Sequence, residues 1–179
     1  VPEIQWFRVG WNNSSVNGFW SRLLDAEPGR VRATSRTDPI LYCPRLAVAA
    51  TIGTALAIAA VLAHSTRNVK TRHDEDVAFS MAVTAMLLLS PVTWEHYFVL
   101  LLVPLGVVWL GLPDSTPARA AFLISVMCLW VAPPFVWSAF DMGGKAATPV
   151  QCVTVLPYQT YALLCLYGLC VADLRRAGG

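Results

Sequence analysis

The sequence predicts an all-α protein, a polytopic membrane bundle of about five transmembrane helices. Three observations carry this. Of the 179 residues 56% are hydrophobic and only 13% charged, against about 25% charged in an ordinary soluble domain. Several apolar runs approach the roughly 20 residues that cross a bilayer. The segments between those runs hold clustered basic residues. The mean hydropathy is +0.54. A formal net charge of +2 is too small to suggest a nucleic-acid partner.

Two regions follow in order. Residues 1–40 form a polar segment containing Trp6, Trp11 and Trp20, with an interfacial amphipathic helix at about residues 15–25. Its part from Asp25 to Pro39 is rich in Arg, Asp, Thr and Pro and reads as loop. Residues 41–179 form the transmembrane domain, with spans at about 44–63, 77–89, 97–112, 120–140 and 150–172. Pro133-Pro134 interrupts the fourth, so that span is expected to break. Beyond the break, Phe135, Trp137 and Phe140 are expected to line a groove or an aromatic belt.

Orientation follows from basic residues in short loops. Arg67, Lys70 and Arg72, then Arg119, then Arg175 and Arg176 fall on one side of a five-span chain, which is therefore the cytoplasmic side. Residues 1–40, residues 90–96 and the 141–149 loop lie opposite. The first of these is an exception to the charge rule, because it carries Arg8, Arg22, Arg30, Arg32 and Arg36. The chain opens on Val1 in polar, aromatic sequence, and is expected to be the C-terminal part of a longer protein.

The smaller signals are weaker. The five cysteines lack metal-ligand spacing and read as buried apolar groups, with a Cys43–Cys152 disulfide as the alternative. His64 and His73 are expected to be solvated. Asp74, Glu75 and Asp76 are consecutive, so they point apart on a helix and read as a cap. No metal and no cofactor is expected.

Two segments are informative. Val16, Phe19, Trp20, Leu23 and Leu24 fall at i, i+3, i+4, i+7 and i+8, an amphipathic pattern. Ser14 or Ser15 is placed to cap the helix. Ser15, Gly18, Arg22 and Asp25 form the opposite stripe. This reads either as an anchoring helix with a solvated Arg22, or as a site where Arg22 holds an oxyanion on its planar fork of donors. Asn12 and Asn13 also match the Asn-x-Ser acceptor pattern for glycosylation.

The second segment is Ser90–His96, SPVTWEH, between two apolar runs. Ser90-Pro91 is placed to start a helix. Trp94 and Tyr97 suit an aromatic belt. Ionisable groups are costly at a membrane, so Glu95 and His96 mark either a functional site or a solvated interfacial turn. His is suited to proton handling near neutral pH.

Together the two segments resemble glycosyltransferase family 87, enzymes that use polyprenyl-phosphate sugars. The first motif is Asn13, Ser15, Gly18, Arg22 and Leu23. The second is Leu88, Ser90, Pro91, Val92, Thr93, Trp94 and His96. The resemblance implies a GT-C-like C-terminal half with its site on the extracytoplasmic side of the plasma membrane. It implies transfer of a mannose-like hexose from a polyprenyl-phosphate donor to a hydroxyl of a glycan or glycolipid acceptor. The expected catalytic residues are His96 and Glu95. Asn13, Ser15, Arg22 and Trp94 are expected to bind substrate, with Arg22 on the phosphate and Arg22 and His96 in one cavity. The family's catalytic carboxylate lies upstream of the sequence at hand, so this chain alone is expected to be inactive. The alternatives are a transporter or flippase-like protein for a lipid-linked or anionic solute, and a non-catalytic membrane subunit.

Overall fold

The computed structural model describes residues 9–26, 37–140, 142 and 146–177. Every regular element among them is helical. One β-bridge joins Thr37 to Ala147. Trp6, Lys145 and the arginines at 8, 30, 32 and 36 lie outside the described residues.

The elements are α1 (Val16–Leu24), α2 (Pro44–Ser65), α3 (Arg72–Leu89), a 3₁₀ helix (Glu95–Leu101) running into α4 (Leu102–Gly111), α5 (Thr116–Trp130), α6 (Pro133–Ala139), α7 (Pro149–Thr154) and α8 (Tyr158–Ala177). The ends follow local chemistry. Pro44, Pro117 and Pro133 sit in the first turns of α2, α5 and α6, where a missing N–H costs nothing. α3 begins five residues before the expected span because Thr71 and Asp74 close a capping box. Asp74 also accepts from the backbone of Lys70 and Thr71, which holds its carboxyl below the usual range. Of the acidic triplet, Asp74 is therefore the cap.

α8 is the axis of the bundle. Gln159, Ala162, Leu163, Leu166, Tyr167, Cys170 and Leu174 form its buried stripe, spaced three and four residues apart as a helix face requires. α3 and α5 pack on it most extensively. α3 presents Val77, Met81, Ala85 and Leu88, while the buried hydroxyls of Ser80 and Thr84 bond back to carbonyls four residues earlier. A second, smaller core gathers Trp11, Leu23, Leu24, Met142, Cys152 and Leu156 beneath α1. All five cysteines are free, Cys43 and Cys152 included.

The outside of the bundle is apolar. On α2 only Ala47 and Ile58 are buried, while Leu46, Val48, Ile52 and Leu56 are exposed. Leu102, Leu110, Ile124, Met127 and Trp130 continue the exposed belt across α4 and α5. A contiguous apolar surface of this kind marks contact with lipid or another protein. Among the described residues two helices are long and apolar enough to cross a membrane: α2, and the Pro149–Arg176 stretch that joins α7 to α8. A third is reached if α5 and α6 count as one broken span. The sequence predicts five. α3 carries Arg72, His73, Asp74, Glu75 and Asp76 in its first turns, and Glu95–Gly111 is short.

The fourth predicted span is broken, with α5 and α6 at 94°. The prolines do not kink a continuous helix. They start a new one after Val131 and Ala132 take extended backbone, because Pro disfavours helical geometry in the residue before it.

The two ends of the bundle match the loop groupings drawn from charge. At one end His73 Nε2 lies 3.1 Å from Asp173 Oδ2, and Arg176 Nη2 donates to Gly111 O at 3.4 Å. His73 is thus paired as well as exposed. At the other end Ser14 meets Thr93, Gln159 and Thr160, and Asp38 N donates to Ala147 O.

Candidate functional site

The segment after α3 is not helical. Ser90 is extended, with φ −56° and ψ 140°, and terminates α3. The expected helix start at Ser90-Pro91 is corrected to a helix end, and the next helix begins at Glu95. The cause is tertiary. Backbone groups that a helix would have paired, Pro91 O and the N–H and C=O of Thr93, find partners elsewhere.

Those partners come from the loop before α1. Asn13 Nδ2 donates to Pro91 O at 3.2 Å. Asn13 Oδ1 accepts from Thr93 N at 3.0 Å and from Ser15 N at 3.1 Å. Ser14 N donates to Thr93 O at 2.7 Å. Asn17 Nδ2 and Ser15 Oγ reach the same Pro91 carbonyl at 3.0 and 3.4 Å. The Thr93 hydroxyl closes the loop on Leu87 O at 2.6 Å. Asn13, Ser15 and Thr93 are fully buried. One asparagine side chain thereby fixes residues 91–93, seventy-eight and eighty positions away.

The first motif explains itself in this setting. Ser15 Oγ caps α1 by accepting from Gly18 N at 3.1 Å. A Cβ at Gly18 would lie 2.6 to 2.8 Å from Asn13 Cγ, O and Nδ2, so only glycine lets α1 approach this loop. Arg22 Nη1 donates to Asn13 O at 2.7 Å and Gly10 O at 3.1 Å. The stripe Ser15, Gly18 and Arg22 is one face, as the spacing predicts, but it packs on the 10–13 loop. The expected solvated or interface-facing Arg22 is corrected accordingly: its relative exposure is 0%. The apolar side of α1 also turns inward, with Val16, Leu23 and Leu24 buried and Trp20 Nε1 donating to Thr54 Oγ1 of α2 at 3.0 Å. Asn13 is sealed by its own bonds, so it is no glycosylation acceptor in the folded chain.

Glu95 and His96 stand on the other side of the second segment and are exposed. They line one end of an apolar groove of about 400 Å³ between the 3₁₀ helix with α4 and the end of α5. Phe98, Leu102, Leu129 and Trp130 form much of its wall. His96 sits between Trp94 and Tyr97, with ring centroids at 5.5 and 4.3 Å. No hydrogen bond joins Glu95 to His96 among the described residues. Arg22 does not line this groove. The two segments converge as expected, but Arg22 and His96 do not share a described cavity. The expected groove of Phe135, Trp137 and Phe140 is also relocated. Trp137 instead meets Trp11 edge to face at 5.3 Å, and Trp130 and Ala132 take the groove-lining position.

A polar thread ties the loop to the helix break beside the groove. Ser14 Oγ pairs with Gln159 Oε1 at 2.8 Å, Thr160 Oγ1 donates to Ser14 O at 2.9 Å, and Tyr158 OH donates to Val131 O at 2.6 Å. Asn17, Gln159 and Thr160 escape a reading of motifs, and Ser14 enters it only as a candidate helix cap. Only the polarity of Gln159 and Thr160 inside an apolar span marks them. Among the described residues no group of His, Cys, Asp and Glu is placed to hold a metal ion.

Compared with known proteins, the chain matches no family model, no curated protein and no solved structure.

Proposed function

We propose that this chain is the C-terminal part of an integral-membrane glycosyltransferase. It moves a mannose-like hexose from a polyprenyl-phosphate donor to a hydroxyl of a glycan or glycolipid acceptor. The observation that supports the reading best is the hydrogen-bonded union of the two motif segments, which sets Glu95 and His96 at the end of an apolar groove. An isoprenoid chain fits an apolar groove, and its phosphate and sugar then lie beside an imidazole and a carboxylate. A departing phosphate develops charge, and a positioned His donor stabilises it. Arg22 acts here as a positioning residue, because it holds the carbonyls of the loop that fixes Pro91 and Thr93.

The test is transfer of labelled hexose from polyprenyl phosphate in membranes expressing the full-length protein. One positioned donor is worth roughly 2–4 kcal/mol in a transition state. His96→Ala is therefore expected to lower turnover by tens-fold or more, with unchanged insertion. Wild-type turnover in His96→Ala and Glu95→Ala rejects the site.

In this reading α3 and the Glu95–Gly111 segment cross the membrane as well, giving five crossings with the motif end extracytoplasmic, in the plasma membrane. The shared ends of the bundle support the alternation. Thr93 is buried, so the labelling probe belongs at its exposed neighbour. A cysteine replacing Glu95 should react with an impermeant reagent from outside, and one replacing Asn68 should not. The reverse pattern inverts the topology.

One observation favours transport: the 94° bend between α5 and α6, since broken helices line transport sites. Against it, the Thr116–Ala139 stretch carries no charged residue beyond Arg119. A rise in solute flux with no hexose transfer would favour the transporter.

A further inference from the structure

Arg22 is a cation sealed in the interior without a counter-charge among the described residues. None of the carboxylates paired among the described residues is paired with it. Burial pushes its guanidinium down to about 10, which leaves it charged at neutral pH. Its Nη1 is occupied by Gly10 O and Asn13 O. Nε and Nη2 are buried with no acceptor among the described residues. In a planar guanidinium these two N–H groups lie side by side. They form the fork that takes two oxygens of one carboxylate or phosphate.

The surroundings repeat the imbalance. Trp11 stands in the loop between the two carbonyls that Arg22 holds. Its indole Nε1 is buried without an acceptor, and so is that of Trp137, the ring packed against it. An indole donates and never accepts. Both rings belong to the core beneath α1. This part of the interior therefore holds donors in excess, and buried polar groups are normally paired.

We propose that Arg22, with Trp11 and Trp137, forms a buried binding site for a phosphate-type oxyanion. Such a group supplies the missing elements together: two oxygens for the fork, further lone pairs for the indoles, and the negative charge. The site rests on this donor set alone. It is read by binding without turnover, so its failure and a failure of the glycosyl-transfer reading are separate results.

The experiment follows thermal unfolding of the purified protein in detergent. One arm titrates inorganic phosphate against chloride at matched ionic strength. A second arm titrates a polyprenyl monophosphate against the corresponding polyprenol. A saturable rise in Tm is expected with a phosphate-bearing probe and not with chloride or polyprenol. A rise with inorganic phosphate assigns the site to the free ion. A rise with polyprenyl monophosphate alone that Trp137→Phe weakens assigns it to a lipid headgroup, whereas one that Trp137→Phe leaves unchanged is binding in the groove of Glu95 and His96 and overturns the proposal. Arg22→Gln should raise the apparent Kd at least tenfold. Trp137→Phe keeps the ring and removes only the N–H, so it reports even if Arg22→Gln fails to fold, and it should raise Kd several-fold. No rise with either probe in the wild type, or an unchanged Kd in Trp137→Phe, overturns the proposal.

Discussion

Replacing Asn13 by alanine is expected to separate the two motif segments and to lower stability more than any other single side-chain truncation in this region. The Asn13 amide serves three backbone groups at once: Pro91 O, Thr93 N and Ser15 N. Pro91 O keeps Asn17 and Ser15 as donors. The two N–H groups have no other acceptor among the described residues, and they lie in the interior. A buried donor left unsatisfied costs roughly 1–3 kcal/mol, so the change is worth about 2–6 kcal/mol. Roughly 2–4 °C of Tm accompanies each kcal/mol in a chain of this size, so a fall of about 4–24 °C is expected. Thermal unfolding in detergent measures it. A second readout is local: a cysteine replacing Thr93, protected in the parent, should become reactive when Asn13 is alanine. A Tm within about 2 °C of the parent, with Thr93 still protected, would show that Asn13 does not hold this junction.

Gly18→Val is the second large effect. The added Cβ alone falls 2.6 to 2.8 Å from Asn13 atoms, one of them backbone, and two methyl groups follow it. Overpacking costs about 1–3 kcal/mol and occasionally more. Here the atoms displaced belong to the Asn13 amide group that holds Pro91 and Thr93, so the steric cost and the hydrogen-bond loss are coupled. Gly18→Val is expected to destabilise by at least about 3 kcal/mol, and the double variant with Asn13→Ala by less than the sum of the two, as contacting residues do. The double-mutant cycle in Tm or denaturant midpoint measures the coupling. Full additivity would mean that Gly18 acts through helix propensity instead.

Much of this was legible in the residues. Apolar runs and scarce charge point to a helical membrane-type bundle, because period and composition are local properties. Proline marks the break at residues 131–132, because its ring restricts the preceding backbone wherever it occurs. The stripe Ser15, Gly18 and Arg22 is a helix face by spacing alone. What that face touches is not a local property. A pattern of apolar and polar positions assigns polar groups to the outside by default, yet this polar stripe is buried because Asn13 and Gly10 supply partners from the preceding loop.

The same distinction separates what the sequence by itself determined from what only the tertiary structure decided. The helices, their caps and the grouping of loops at two ends follow from residue types in order. The non-helical Pro91–Trp94 segment, the interior position of Arg22, and the separation of Arg22 from the groove of Glu95 and His96 do not. The first depends on hydrogen bonds between residues about eighty positions apart, the second on bonds to carbonyls nine and twelve positions away, and the third on how the two segments dock. A buried backbone group takes whichever partner the fold brings within 3 Å, and no window of sequence contains that partner.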